Sequence, residues 1–162
     1  MSSVSIDKGF SVGILMPMNI QQIREMADID LKIDGTELAD ESIRIPQLHG
    51  KYLSIYHDET LILRKYEMDF QVLRKQKWEY YTGKMSQDEL KELGWEPFDH
   101  RILRNDLDYY LESDAELMKL QSKLGAQKAK VDYLDSLIKG INNRQWVIRN
   151  AIDFLKFKSG VS

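Results

Sequence analysis

Between Leu73 and Lys84 the chain reads Leu-Arg-Lys-Gln-Lys-Trp-Glu-Tyr-Tyr-Thr-Gly-Lys, a run that interleaves cations with aromatic rings. The mixture suits an unpaired nucleic-acid strand: Lys and Arg neutralise phosphates, while unstacked bases lie on aromatic faces or guanidinium planes. On a helix Arg74 stands four residues before Trp78, and Lys77 four before Tyr81, the spacing that makes side chains neighbours. Thr82-Gly83 stops such a helix and Lys84 follows it. The candidate nucleic-acid contacts are therefore Arg74, Lys75, Lys77, Tyr81 and Lys84. A second reading of the run stays open, because cations in a last helical turn also answer the macrodipole and rings also plug cores.

Other chemistry finds little support. The chain has no cysteine, which excludes disulfides, thiolate nucleophiles and zinc–thiolate sites. A di-metal site in a helical bundle would need paired Glu-x-x-His motifs, and the nearest spacing is Glu96 to His100, once and across a proline. His49, His57 and His100 have no evident acid or nucleophile partner and read as surface or structural residues. With no Walker-type or dinucleotide-type glycine loop, nucleotide cofactors lack sequence support as well. The expectation is a protein that is not an enzyme and carries neither cofactor nor metal.

The elements that must position the run at 73–84 are helical. Residues 1–17 are rich in Ser and Gly and read as a flexible arm, followed by a single domain over 18–160 and a tail at 161–162. Asn19 caps a short helix with Ile20, Ile23 and Met26 on one side. Residues 29–45 alternate apolar and acidic types around Asp34-Gly35, which suggests a turn between short extended or frayed pieces. Pro46 suits a first helical position, and the apolar residues from Leu48 onward recur at three and four, predicting a long amphipathic helix over 47–81. Ser86 and Glu89 form a capping box for a small helix ended by Gly94, and Pro97 breaks the chain. Asp99 is the candidate cap of a second long helix over 99–158, closed by Ser159-Gly160.

That second helix carries the clearest periodicity. Val131, Leu134, Ile138, Ile141, Gln145, Ile148, Ile152 and Leu155 repeat at three and four without a slip, the seam of a coiled coil with one polar position. Beside it runs a weaker stripe of Tyr133, Leu137, Val147, Ala151 and Phe154. A two-helix layer with apolar residues on two faces must bury one of them against another copy or a third element. A homo-oligomeric ring whose interface uses the seam is favoured over a closed monomeric bundle.

Net charge is −3 over 162 residues, with acidic clusters near the start and at 106–116 and cations gathered at 64–84 and in the last third. A chain that is acidic overall can therefore still present a basic rim. The acidic run at 106–116 admits two readings, a dock for a basic partner or a solvated helix face. No segment approaches the roughly 20 apolar residues needed to span a bilayer, and the start lacks the basic region of a secretory signal.

Three blocks carry a resemblance to a known family. Lys75-Gln76-Lys77-Trp78-Glu79-Tyr80-Tyr81-Thr82-Gly83-Lys84 resembles the basic, acidic-Tyr-Tyr, Ser/Thr-Gly, basic motif of the UvsY recombination-mediator proteins of T-even-like bacteriophages. Asn105 to Leu111 resembles the acidic middle of that family. Ile141 to Arg144 with Ile148 to Asp153 resembles its C-terminal helix, and the likeness runs from Met18 to Gly160. The family start falls at Met18, and the family often has Arg where this chain has Lys77, keeping the charge but not the planar fork.

The resemblance implies a mainly α fold, a long-helix hairpin with a coiled-coil-like C-terminal helix, assembled as an open-barrel ring of six or seven copies. It implies binding to single-stranded DNA through positions matched by Lys75 and Lys77. It further implies loading of a phage RecA-like recombinase against the phage single-strand-binding protein, in recombination, repair and recombination-dependent replication, within the cytoplasm of the infected bacterial host and away from membranes. From the residues alone, a coiled-coil scaffold or adaptor without nucleic-acid binding is the second class of function.

Overall fold

The computed structural model describes residues 17–160. The expected tail and all of the expected arm except Pro17 lie outside the described residues. Five helices follow in order, α1 (Ile20–Asp30), α2 (Leu38–Tyr81), α3 (Gln87–Leu93), α4 (Leu107–Glu112) and α5 (Ala115–Ser159), with no strand among the described residues. Two begin where the capping residues predict. The Asn19 side chain accepts the Gln21 N–H at 3.0 Å while Gln22 reaches back to the Asn19 N–H. At α3, Ser86 and Glu89 satisfy each other's backbone N–H groups, and Gly94 ends the helix at φ 67°.

Both long helices depart from their expected starts. α2 begins at Leu38 rather than at residue 47, so Pro46 lies inside it and not at its first turn. Proline in that position withholds a donor and crowds the carbonyl four residues back. Packing overrides the penalty, since Leu38 and Glu41, both ahead of the proline, are buried. The stretch 29–45 is accordingly a turn between two helices rather than extended pieces. Asp34 makes that turn by accepting the Thr36 N–H at 2.9 Å and its hydroxyl at 2.6 Å.

The second long helix starts at Ala115, not at 99. Its cap is Asp114, whose carboxylate accepts the N–H groups of Glu116 and Leu117 at 3.0 Å each. Asp99 caps nothing: residues 95–103 carry no helix, and a turn at 104–106 leads into the six-residue α4. The far end matches the expectation, with Gly160 left-handed at φ 70° after Ser159.

α2 and α5 pack antiparallel, and α1 covers the seam at one end. Ile23 and Ala27 of α1, Leu48 and Tyr52 of α2, and Leu134 and Ile141 of α5 form the core. Arg144 fastens the α1–α2 turn by donating to the carbonyls of Leu31 and Lys32 at 2.7 and 2.8 Å and to the Glu41 carboxylate. Asp30 ties the end of α1 to α2 through Lys51 at 2.6 Å and the Tyr52 hydroxyl at 3.0 Å.

Charged residues run through the hairpin in register. Glu41, Glu59 and Lys77 are buried on α2 at intervals of 18 residues, which is five turns of about 3.6, so they stand in one line on the face toward α5. Each meets an opposite charge: Arg144 for Glu41, Lys130 for Glu59 at 3.0 Å, and Asp114 for Lys77 at 3.1 Å. Gln127 completes the middle rung, donating to the Glu59 carboxylate at 2.6 Å and to its carbonyl at 2.9 Å. A slip by one turn would leave every rung unpaired and buried, an outcome that costs about 3–5 kcal/mol per broken pair.

This register decides what becomes of the coiled-coil seam. Val131, Leu134, Ile141 and Ile148 are buried inside the protomer, and Ile138 and Ile152 are half-buried. Those residues are therefore core within one chain rather than a free face for a second copy, while Gln145 and Leu155 are exposed. With Glu41 abreast of Arg144, α2 begins roughly opposite Ile148. The last three turns of α5, about 16 Å of helix, run on past it.

Candidate nucleic-acid interface

The basic run ends α2 beside an aromatic cluster drawn from three parts of the chain. Tyr80 packs edge-on to Trp95 at 5.3 Å and donates its hydroxyl to the Glu96 carbonyl at 2.9 Å. Tyr81 sits at right angles to Phe98 at 5.1 Å and touches Tyr110 at 5.6 Å. The cluster ties the segment after α3 to the end of α2, so a short stretch of helix becomes a rigid ledge.

On that ledge the expected contact residues separate into two groups. Lys75 is outermost, its side chain 75% exposed, with a single long ion pair to Glu79 at 3.6 Å. Arg74 is exposed and lines a shallow cleft with Lys75 and Trp78. Lys84 is exposed, and its ammonium lies 4.0 Å from the centre of the Trp78 ring. These three are available to phosphates.

Lys77 and Tyr81 are not. The Lys77 side chain is 7% exposed, and its ammonium is held by Asp114 at 3.1 Å, by Glu116 at 3.4 Å and over the Trp95 ring at 4.0 Å. Tyr81 is half-buried and donates its hydroxyl to Asp114 at 2.8 Å. Burial and this hydrogen bond push the Tyr81 phenol well above its ordinary range. Burial alone would raise the Asp114 carboxyl, but the Leu117 N–H, the Tyr81 hydroxyl and the Lys77 ammonium together hold it below the usual carboxylate range. Lys77, Tyr81 and Asp114 thus join the end of α2 to the start of α5. Within the acidic run at 106–116, Asp114 is neither a dock nor a solvated face, since it is buried and answers Lys77 within the chain, with the exposed Glu116 as a second partner of that ammonium.

Trp78, which the sequence places four residues after Arg74, and two residues that the sequence did not single out complete the surface. Trp78 is 37% exposed and stands between the cleft of Arg74 and Lys75 and a larger one. Arg101 and Arg104 reach the larger cleft from the segment after Pro97, and both are exposed. Sequence distance hid them, since nothing in a linear reading brings residue 101 beside residue 84.

Elsewhere the protomer leaves apolar surface uncovered. On α5, Trp146, Val147, Phe154, Leu155 and Phe157 are 49–83% exposed, around and along the overhang. On α2, Leu61, Met68 and Val72 are 52–63% exposed. Of the second apolar stripe expected on α5, Val147 and Phe154 are in the open, Ala151 is intermediate, and Tyr133 and Leu137 are half-buried against the core. Among the described residues no group of acidic and histidine side chains could hold a metal ion, and no helix is long and apolar enough to cross a membrane.

Comparison with known proteins places this geometry. A family model described as the recombination, repair and ssDNA binding protein UvsY matches residues 26–161. The recombination protein uvsY of Enterobacteria phage T4 is 22% identical over 143 residues, which is 88% of this chain and 99% of that protein. A crystal structure of the bacteriophage T4 recombination mediator protein UvsY superimposes with a TM-score of 0.76 at 21% identity, over 86% of this chain and 99% of that one. A second crystal form gives the same TM-score over 88% of this chain.

Proposed function

Because the chain belongs to the UvsY family of recombination, repair and single-stranded-DNA-binding proteins, we propose that it is a recombination mediator rather than an enzyme. In this reading it holds single-stranded DNA and promotes loading of a RecA-like recombinase onto strands covered by a single-strand-binding protein. The observation that carries the reading is the ledge itself: exposed Arg74, Lys75 and Lys84 around the exposed Trp78 ring, on a helix end clamped by the aromatic cluster. Phosphate neutralisation and base stacking then act from one rigid surface. Lys77 and Tyr81 serve that surface by holding it against α5.

The assembly is a ring of protomers, with six or seven copies in keeping with the family resemblance. Its support is the apolar overhang of α5 together with the separate apolar stripe on α2. Several large apolar side chains exposed together on a lone subunit mark an interface. Two different patches on one chain favour a head-to-tail contact, which closes into a ring when the rotation permits. The interface is thereby assigned to Trp146, Val147, Phe154, Leu155 and Phe157, with Ile152 at its edge, in place of the seam residues buried within the protomer.

Mediation follows from the copy number. A few salt-sensitive phosphate contacts per protomer are weak, but several copies in fixed geometry act at high effective concentration on one strand. A strand led from ledge to ledge takes a path set by the ring, which loosens a competitor that needs another path and leaves DNA accessible to the recombinase. The test is a salt titration with a fluorescent single-stranded oligonucleotide. Binding that falls linearly in log–log form with rising salt supports the mediator; no binding at low salt leaves the scaffold reading.

A further inference from the structure

The larger cleft beside Trp78 encloses about 660 Å³ between the last turn of α2 and the segment 98–104. That volume is within the range of about 300–1,000 Å³ usual for small-molecule sites. Its lining is unlike a simple phosphate track. Trp78 forms one wall, and Phe98 is held in place by Tyr81 at 5.1 Å, Tyr80 at 5.6 Å and Tyr110 at 6.0 Å. Lys84, Arg101 and Arg104 stand around it, and Asp99 is the single carboxylate among the lining residues. The ion pairs of the described residues involve none of these cations, which leaves all three to a ligand.

From this arrangement we propose that the cleft receives one unpaired nucleobase, stacked on Trp78, with the flanking phosphates on Lys84, Arg101 and Arg104. The proposal rests on the single-stranded-DNA reading and gives it a specific site. The aromatic wall and the prearranged Phe98 suit a flat, uncharged ring, while the net positive rim suits the phosphates on either side of it. Lys84 occupies the Trp78 face in the unliganded protein at 4.0 Å. A base entering there takes the place of the ammonium, which moves outward to a phosphate, so one cation contact is exchanged for another of greater charge complementarity. Trp78 also borders the cleft of Arg74 and Lys75, so a strand crossing the ring meets cations on both sides. Bases in a duplex cannot enter, which makes the cleft selective for unpaired strands.

The experiment compares full-length protein on a labelled oligodeoxythymidylate and on an abasic strand of equal length and charge, at one salt concentration. Stacking worth about 1–3 kcal/mol per base predicts at least about fivefold tighter binding of the thymidylate. Trp78→Leu should erase that preference without altering the salt slope, and Trp78→Phe should keep most of it. Arg101→Gln with Arg104→Gln should weaken both strands and shallow the slope. Equal affinity of the unaltered protein for the two strands overturns the base site while leaving single-strand binding in place. So does a Trp78→Leu protein that keeps the preference, or one whose molar mass changes while the preference does not, which would assign the cleft to a subunit contact. Failure of the unaltered protein to bind either strand removes both the site and the reading beneath it.

Discussion

Replacing Lys77 separates a residue that touches DNA from one that holds the surface touching it. Lys77→Met keeps the stem and removes an ammonium paired with Asp114 at 3.1 Å, where the two side chains are 7% and 6% exposed. Breaking a buried pair by removing one partner costs about 3–5 kcal/mol. Here the lower end applies, because Asp114 keeps the Glu116 and Leu117 N–H groups and the Tyr81 hydroxyl. A loss of about 3 kcal/mol in a chain of this size lowers Tm by about 6–12 °C. Thermal unfolding at fixed protein concentration reads it, and the same preparation is titrated with oligonucleotide below its transition. Single-strand binding should weaken together with Tm, and the double variant Lys77→Met/Asp114→Asn should regain part of both, since it removes the orphaned charge and keeps a capping side chain. A Lys77→Met protein that unfolds at the original temperature yet no longer binds DNA would instead make Lys77 a direct contact and overturn its role as a brace.

Lys75 provides the opposite case. Lys75→Ala should leave Tm unchanged, since its exposed pair with Glu79 is worth only about 0.3–0.5 kcal/mol, and should shallow the log–log salt slope by about 0.7 for each copy of the residue in contact with the strand. Phe154→Lys with Phe157→Lys places charge on the overhang, where the rings are 64% and 83% exposed in the protomer; sedimentation should show loss of the assembly while helicity by circular dichroism persists. Acid should destabilise the fold in a defined window. The Asp30, Glu41 and Asp114 carboxyls all sit below their ordinary values of 3.8, 4.5 and 3.8 in the folded chain. Their contribution is therefore complete above those values and is lost as pH falls through the lower folded ones, so Tm should hold between about pH 7 and 5 and drop below about pH 4.

The capping residues and periodic stripes of this chain were legible because they act locally. Asn19, Ser86 with Glu89, Gly94 and Gly160 mark ends that the structure keeps, for each satisfies backbone groups within its own turn. Pro46 and Asp99 misled for the same reason read in reverse. Each has a local preference, and tertiary contacts outweighed both: burial of Leu38 and Glu41 on one side, and the stronger cap at Asp114 on the other. The seam from Val131 to Ile148 was correctly periodic, yet periodicity cannot say whether the facing helix belongs to the same chain. The charges could have said so. Glu41, Glu59 and Lys77 repeat every five turns along the α2 face that α5 must cover, and a buried line of charges requires fixed partners nearby.

At the candidate interface, the run 73–84 is legible in its composition, but composition does not report which cations are free. Lys75 and Lys77 are two residues apart and so lie on different sides of the helix, one toward solvent and one against Asp114. Arg101 and Arg104 joined the surface only through the fold after Pro97.

In the proposed assembly several copies of this chain jointly hold one unpaired strand. Light scattering coupled to size exclusion, run at low and high salt with and without a single-stranded oligonucleotide, tests it in one experiment. The mass should be several times the 19.0 kDa of one chain, with the oligonucleotide co-eluting at low salt and released at high salt while the assembly persists. A 19.0 kDa species that never carries the oligonucleotide would contradict it.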